Sequence, residues 1–246
     1  MLSVLIPSTP KTKKYLDFCI SSIEKNTTVP FEILVGENGK DTNYPQGQCA
    51  AVNRIAKEAK GDWFLISNDD MYYPPNWDKH LIYPSECLSL NANFTWDAVP
   101  GLNHPVLKAG DTIESFNQEL ADDCHPEPIV ENGFTFPIIL SRRLWELVGG
   151  YDEMYDPWSS NSDSDLEYKC ILAGIQPKVL RGVFVYHFGM KSGTFDPDQQ
   201  VYWQKNWDYF NEKWGFSRVD TPFIQKADVQ IDTQKLKHKP KWSVYE

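Results

Sequence analysis

At 246 residues, with 41% hydrophobic and 14% aromatic content, the chain holds enough apolar material for one large α/β domain or two small ones. A net charge of −10 and a pI near 5.0 argue against a broad phosphate-gripping face of the nucleic-acid-binding kind. Cys19, Cys49, Cys87, Cys124 and Cys170 are scattered without a CxxC pair, so they read as reduced thiols rather than a disulfide framework or a zinc knuckle. No apolar run approaches the ~20 residues that span a bilayer. The apolar start stops at Pro7 with no basic n-region or cleavage site, which reads as a cytoplasmic protein, peripheral at a membrane at most.

In chain order, residues 2–6 (LSVLI) form a continuous apolar run closed by Pro7, the pattern of a buried parallel strand. Leu16, Cys19, Ile20 and Ile23 then recur at helical spacing, and Asn26 with Thr27 and Thr28 ends the run. Residues 31–35 (FEILV) repeat the strand pattern and stop at Gly36. Residues 48–60 have high helix propensity with Gly61 as the closing residue, and residues 63–66 (WFLI) return as a third strand. This βαβαβ order predicts a parallel sheet with right-handed crossovers. From 83 to 128, prolines, asparagines and isolated aromatics break every period, and loops are expected. Beyond them, strands are expected over 134–140 and 182–186 and helices over 142–148 and 163–173, a mixed second half. Asp196, Pro197 and Gln199 have the form of a helix start, after which Trp203, Trp207, Phe210 and Trp214 mark an amphipathic face, read as core, that Gly215 terminates. The remaining tail reads as an extended arm.

Ligands of an open α/β sheet bind outside the carboxyl ends of its strands, where several polar clusters fall. Pro7, Ser8 and Thr9 follow strand one and offer backbone groups and hydroxyls to a nucleotide, although such a loop is also an ordinary turn. Glu37 and Asn38, after strand two, suit the imide proton of a uracil or thymine; a solvated turn is the plainer alternative. Asn68, Asp69 and Asp70 place oxygen ligands where a hard divalent cation binds, a need of any diphosphate leaving group. Asn-Asp-Asp is equally a turn or capping string. In Ser162, Asp163, Ser164 and Asp165, one carboxylate suits a general base, and helix capping is the alternative. His187 ends the last strand, with Lys191 behind it, and an imidazole there suits the same metal.

Together these segments resemble glycosyltransferase family two and its GT-A relatives. LSVLIPSTP is similar to the family's opening strand and loop, EILVGENGKD to EIIVVDNGSxD, and AKGDWFLISNDDMYYPPNW to AxGxxxxxLNDDxxxxPxW. Further on, LWELVGGYDEMY is similar to FxxIGGFDExF, SDSDLEYKCILAG to EDxDLCLRLxxAG, and VYHFGMKS to a late VxHxxxxS. The resemblance implies a GT-A fold: a Rossmann-like, mostly parallel central sheet flanked by helices, with a mixed acceptor-side half. It implies that Glu37 stands for the base-binding aspartate, that Asn68, Asp69 and Asp70 are a DxD-type motif with Asp70 the metal ligand, and that His187 completes the metal site. Asp163 becomes the catalytic base and Asp165 the following helix aspartate, counted with Pro7, Ser8, Thr9, Glu37, Asn38, Asn68, Asp69 and Lys191 as binding substrate or nucleotide. Ser162 departs from the family's glutamate and Asn68 from its first aspartate. Gln199, Tyr202 and Trp203 echo the QxxRW motif of the polymerising members without its arginine, which implies a non-processive enzyme.

The expectation is therefore a catalytic domain over 1–195, with a nucleotide-sugar and metal half to residue 100 and an acceptor half from 101, followed by a Trp-rich helix and tail over 196–246. It would use Mn2+ or Mg2+ and a nucleotide-sugar donor, UDP-linked in preference to GDP- or dTDP-linked, and act on a glycan, lipid-linked or protein acceptor. The alternatives are an inactive sugar- or nucleotide-binding module, a sugar nucleotidyltransferase, disfavoured because no Gly-rich, Arg-bearing loop follows Pro7, and a glycoside hydrolase, which needs no nucleotide pocket.

Overall fold

The computed structural model describes residues 1–39, 43, 47–79, 81, 85–92, 112–123, 129–189, 191 and 199–215. Its first half is the expected βαβαβ unit: β1 (Leu2–Ser8), α1 (Lys13–Asn26), β2 (Phe31–Glu37), α2 (Gln48–Ala56) and β3 (Trp63–Ile66). β1 lies between β2 and β3 and runs parallel to both.

β1 continues through Pro7 to Ser8, beyond the expected stop. The pairing explains why this proline is tolerated. Ser67 donates to the Leu5 carbonyl and Asn38 to that of Ser8, so Pro7, in phase with Leu5, faces the side where β3 has already ended. Its missing amide costs no ladder bond there.

The second half adds β4 (Met71–Tyr72), β5 (Cys87–Ala92), α3 (Gln118–Asp122), β6 (Val130–Asn132), β7 (Ile138–Ser141), α4 (Arg142–Val148), α5 (Ser162–Leu172), β8 (Lys178–His187) and α6 (Gln199–Trp214). The sheet order is β2-β1-β3-β7-β5-β8-β4, with β6 on the flank of β8. β7 is antiparallel to β3 and β5, β5 is parallel to β8, and β4 and β6 are antiparallel to β8.

Side-chain alternation divides the core between the two faces. Leu2, Val4, Ile6 and Leu65 pack toward α1 with Cys19 and Ile23, whereas Leu5, Phe64 and Ile66 pack toward α2, α4, α5 and α6 with Val52, Leu144, Leu166 and Phe210. A third, aromatic cluster of Tyr72, Tyr186 and Phe188, joined by Phe18 and Phe116, lies beside β4.

Four sequence expectations are corrected. The span 83–128 is not loop throughout: β5 lies in it, central between β7 and β8, and so does α3. Residues 93–111 and 124–128, with Cys124, lie outside the described residues. α2 stops at Ala56, short of residue 60, and Arg142 of α4 donates to the carbonyls of Ala59 and Gly61 in the turn that follows. The strand expected over 134–140 starts only at Ile138, because Pro137 has no amide to give and Thr135 bonds Ser89 and the Leu90 carbonyl of β5 through its own backbone and hydroxyl. On α6, Trp203 is 47% exposed; the inward face is Asn206, Phe210, Lys213 and Trp214, with Trp207 half-buried. Gly215 ends α6 in the left-handed region (φ 72°), whereas Asp196, Pro197 and the tail lie outside the described residues. No helix among the described residues is long and apolar enough to cross a membrane.

Candidate active site

The site begins at the carboxyl ends of β1, β2 and β3. Glu37 is exposed at the end of β2, its carbonyl held by Arg54 Nη2 at 2.7 Å, and the Asn38 amide donates to the Ser8 carbonyl at 2.9 Å. Two strand ends are thereby stitched side by side.

Ser8 is buried, and its hydroxyl donates to Asp69 Oδ2 at 2.6 Å; the Thr12 hydroxyl donates to the same oxygen. The Ser8 hydroxyl, expected to meet a nucleotide, instead fixes the loop after β3 to the loop after β1, and Thr9 completes the turn by bonding Thr12. Burial, reinforced by the neighbouring charge of Asp70, pushes the Asp69 carboxyl up to about 6 against the pull of the Ser8 and Thr12 hydroxyls. Asp69 is thus an internal anchor to the β1 loop, and Asp70, just as buried, bonds instead to β8 and the turn after it.

Asp70 is brought to His187 by pairing of β4 with β8, in which Met71 lies opposite His187, and by the Phe188 amide, which donates to the Asp70 carbonyl at 2.9 Å. His187 Nε2 sits 2.9 Å from Asp70 Oδ1, and the Lys191 amide donates to Asp70 Oδ2 at 3.2 Å. Burial opposes the Asp70 charge, but the His187 imidazole and the Lys191 amide outweigh it and hold the carboxyl below the usual carboxylate range. Asn68 Nδ2 lies 3.4 Å from the same ring nitrogen. A nitrogen that donates to Asp70 cannot also accept from an amide, so turning the Asn68 amide to present its oxygen gives the consistent network. The Lys191 ammonium stands 5.8 Å over the Tyr15 ring.

Among the described residues, no group of three or more His, Cys, Asp or Glu is arranged to hold a metal. The residues nevertheless fit a cation that draws its remaining ligands from phosphate and water. A carboxylate and an imidazole meet within 2.9 Å, nearly buried, with the Asn68 amide beside them, and a cation bound there would take the place of the proton that His187 Nε2 shares with Asp70. One or two protein ligands suffice for a magnesium- or manganese-type ion on a diphosphate.

Asp163 arrives from another direction. α2 follows β2 and so starts at the carboxyl edge, where its first amides, Cys49 and Ala50, donate to Asp156 Oδ1 and Oδ2 at 3.0 and 2.9 Å. This long-range cap ties the segment before α5 to the sheet edge. Asp163, half-buried in the first turn of α5, accepts from the Tyr151 hydroxyl at 2.8 Å. Neither Ser162 nor Asp163 caps the helix: Asn161 holds that position without a side-chain cap bond.

Asp165, two residues on and therefore on the opposite side of the helix, turns inward. It is 1% exposed, accepts from Trp214 Nε1 at 3.0 Å and Tyr155 at 3.2 Å, and pairs with Lys213 at 2.6 Å. The expected substrate-binding role is thereby corrected, because its carboxylate is enclosed between α5 and α6. Lys213 also reaches Asp152 at 2.7 Å, making a buried bridge across both carboxylates. Sequence reasoning did not single out Tyr151, Asp156 or Lys213. The first two sit in the GGYDEMYDP segment, whose density of aromatic and acidic residues was the available signal.

Residues 40–86 match the glycosyl transferase family 2 model, a stretch that spans β3 and the Asn68-Asp69-Asp70 string. No curated protein sequence matches the chain. Among solved structures, TarS of S. aureus has 15% identity and a TM-score of 0.53 over 89% of this chain, which spans 44% of the TarS chain. Its 1–349 portion in complex with UDP-GlcNAc has 14% identity and a TM-score of 0.53, with 95% of this chain and 77% of that one covered. GalNAc-T7 with UDP, GalNAc and Mn2+ has 14% identity and a TM-score of 0.60 over 92% of this chain and 52% of that one. The mannosyltransferase PcManGT of Pyrobaculum calidifontis, with GDP-Man and Mn2+, has 16% identity and a TM-score of 0.51 over 76% of this chain and 56% of that one. The chain thus spans less than half of full TarS and about half of the other two. The fold is that of the GT-A glycosyltransferases, and one stretch of the chain within it is similar to the family 2 model.

Proposed function

We propose that this GT-A chain transfers one sugar per visit from a nucleoside-diphosphate donor to an acceptor hydroxyl, with inversion at the anomeric carbon. The observation that carries the reading is the meeting of Asp70 and His187 at 2.9 Å at the carboxyl edge, beside the stitched ends of β1 and β2. Glu37 and Asn38 there would take the base, with uridine favoured. Asp70 and His187 would hold a Mn2+ or Mg2+ ion, whose charge would stabilise the departing diphosphate.

Asp163 would accept the acceptor's hydroxyl proton while that oxygen forms its bond to the anomeric carbon. The bond from that carbon to the phosphate oxygen breaks on the opposite side, and its electron pair leaves with the diphosphate. The Lys191 amide, bonded to Asp70 Oδ2, would hold that carboxylate in place for the ion. The non-processive reading rests on residues 199–203, which lack the arginine of the polymerising members' motif. The buried free thiols Cys19, Cys49, Cys87 and Cys170 favour a reducing, cytoplasmic setting.

The test is a thermal-shift screen against uridine, guanosine, thymidine and cytidine diphosphates and their sugars, each with and without manganese. A selective, manganese-dependent rise in melting temperature that Asp70→Ala abolishes is expected. No shift with any nucleotide would favour a non-catalytic module instead.

A further inference from the structure

Tyr151 lies in the LWELVGGYDEMY segment, between α4 and α5. Its hydroxyl is not spent on solvent: the residue is 3% exposed and donates to Asp163 Oδ1 at 2.8 Å. Burial, together with the Asp163 charge, raises the phenol well above its ordinary range, so it stays a proton donor at every working pH.

The backbone that delivers the phenol is held from several sides. Asn53 of α2 accepts from the Tyr151 amide at 2.9 Å and donates to its carbonyl at 2.9 Å, a two-point clamp on one residue. The preceding Gly150 has φ +68°, and a Cβ there would lie 2.6 Å from Asn53 Oδ1 and 2.8 Å from Trp145 Cζ2, so only glycine allows α2 and α4 to close on this turn. Lys169 of α5 donates to the Gly150 carbonyl at 2.8 Å. The Trp145 ring meets the Tyr151 ring edge-on, with centroids 5.7 Å apart and planes at 87°. Three helices thus fix where the hydroxyl points.

We propose that Tyr151 is the positioning residue of the base: its hydroxyl, locked by Asn53, Gly150 and Trp145, holds the Asp163 carboxylate in the orientation in which it takes the acceptor's proton. This rests on the reading of Asp163 as the base of the transfer. A carboxylate on a helix's first turn has two free torsions, and a fixed donor to one oxygen removes most of that freedom before substrate arrives.

The experiment measures hydrolysis of UDP-N-acetylglucosamine, UDP-glucose and GDP-mannose, with manganese and with water standing in for the acceptor hydroxyl, by wild type, Tyr151→Phe, Asp163→Asn and the double variant. Tyr151→Phe is expected to lower kcat about ten- to a hundredfold while leaving KM for the donor unchanged. On the Asp163→Asn background the same change is expected to have no further effect on residual turnover, because its route runs through the carboxylate. Asn53→Ser, which loosens the clamp and keeps the hydroxyl, is expected to give a smaller kcat loss that also vanishes on that background. Unchanged kcat in Tyr151→Phe, or a loss that multiplies with that of Asp163→Asn, would overturn the inference while leaving the transferase reading intact. A wild type that turns over no donor would overturn both.

Discussion

The two halves of the sheet hold their acids by different means. In the parallel half, Ser8 and Glu37 end β1 and β2, Asn38 and Asp69 stand in the loops after β2 and β3, and contacts between those adjacent ends position them. In the mixed half, Asp163 and His187 are positioned by partners far off in sequence: His187 by Asp70 across 117 residues, and the helix of Asp163 by Lys213 of α6, which reaches Asp165 and Asp152. A strand end fixes a loop cheaply, whereas a helix carrying the proposed base must be fixed by side chains that reach across the core. Substitutions at Asp70 and its partner His187 should therefore cost ligand binding, and those around Asp163 should cost rate or stability.

The largest expected effect sharpens that contrast. Asp163→Asn should reduce turnover by about 10²- to 10⁴-fold with nucleotide affinity retained, measured by single-turnover kinetics beside calorimetric binding. Asp70→Ala, or chelation of the divalent ion, should instead weaken nucleoside-diphosphate binding by at least about tenfold, because it removes a charged ligand and leaves the base in place.

Lys213→Ala should break the second half by stability alone. It removes the ammonium that Asp152 and Asp165 share, while Lys169, 3.4 Å from the other oxygen of the buried Asp165, keeps part of the compensation, so about 2–3 kcal/mol should be lost in denaturant unfolding. Equal stability in this variant would mean that α6 does not hold α5.

Asp152→Asn probes the same bridge through pH. Burial resists the Asp152 charge, but the Lys213 ammonium and the surrounding hydrogen bonds hold the carboxyl down to about 2. A folded-state pKa below the unfolded one stabilises at neutral pH, and that stability is lost as pH falls below the ordinary carboxylate value toward 2. Wild type should therefore exceed Asp152→Asn by about 1 kcal/mol at neutral pH once solvent screening of the half-buried pair is allowed for, and the gap should close on acidification from about pH 4 to 2. A gap that does not depend on pH would contradict the ion pair. The smallest effect belongs to the exposed Lys13–Asp17 pair on α1, where Lys13→Ala should cost no more than about 0.5 kcal/mol.

What the sequence made legible follows the same division. β1, β2 and β3 announce themselves as short apolar runs, and the acids after them stand next to those runs in the chain. β5 is hidden because CLSLNA lacks β-branched residues and its partners β7 and β8 lie far along the chain. Asp163 and Asp165 look alike as letters in a row, and only the packing of Trp214, Tyr155 and Lys213 shows that one of them faces the core. Trp203 was grouped with the α6 core by spacing alone, yet a partner for that part of the helix is something spacing cannot supply. Tyr151 reads as one more core aromatic until its hydroxyl is seen on Asp163.

The most direct test of the central claim is nucleoside-diphosphate release from UDP-N-acetylglucosamine, UDP-glucose and GDP-mannose with manganese, water taking the sugar in place of the acceptor hydroxyl, compared between wild type and Asp163→Asn. The account predicts release by wild type from at least one donor and almost none by a variant that still binds it. Release at equal rates from both proteins, or from neither, would contradict it.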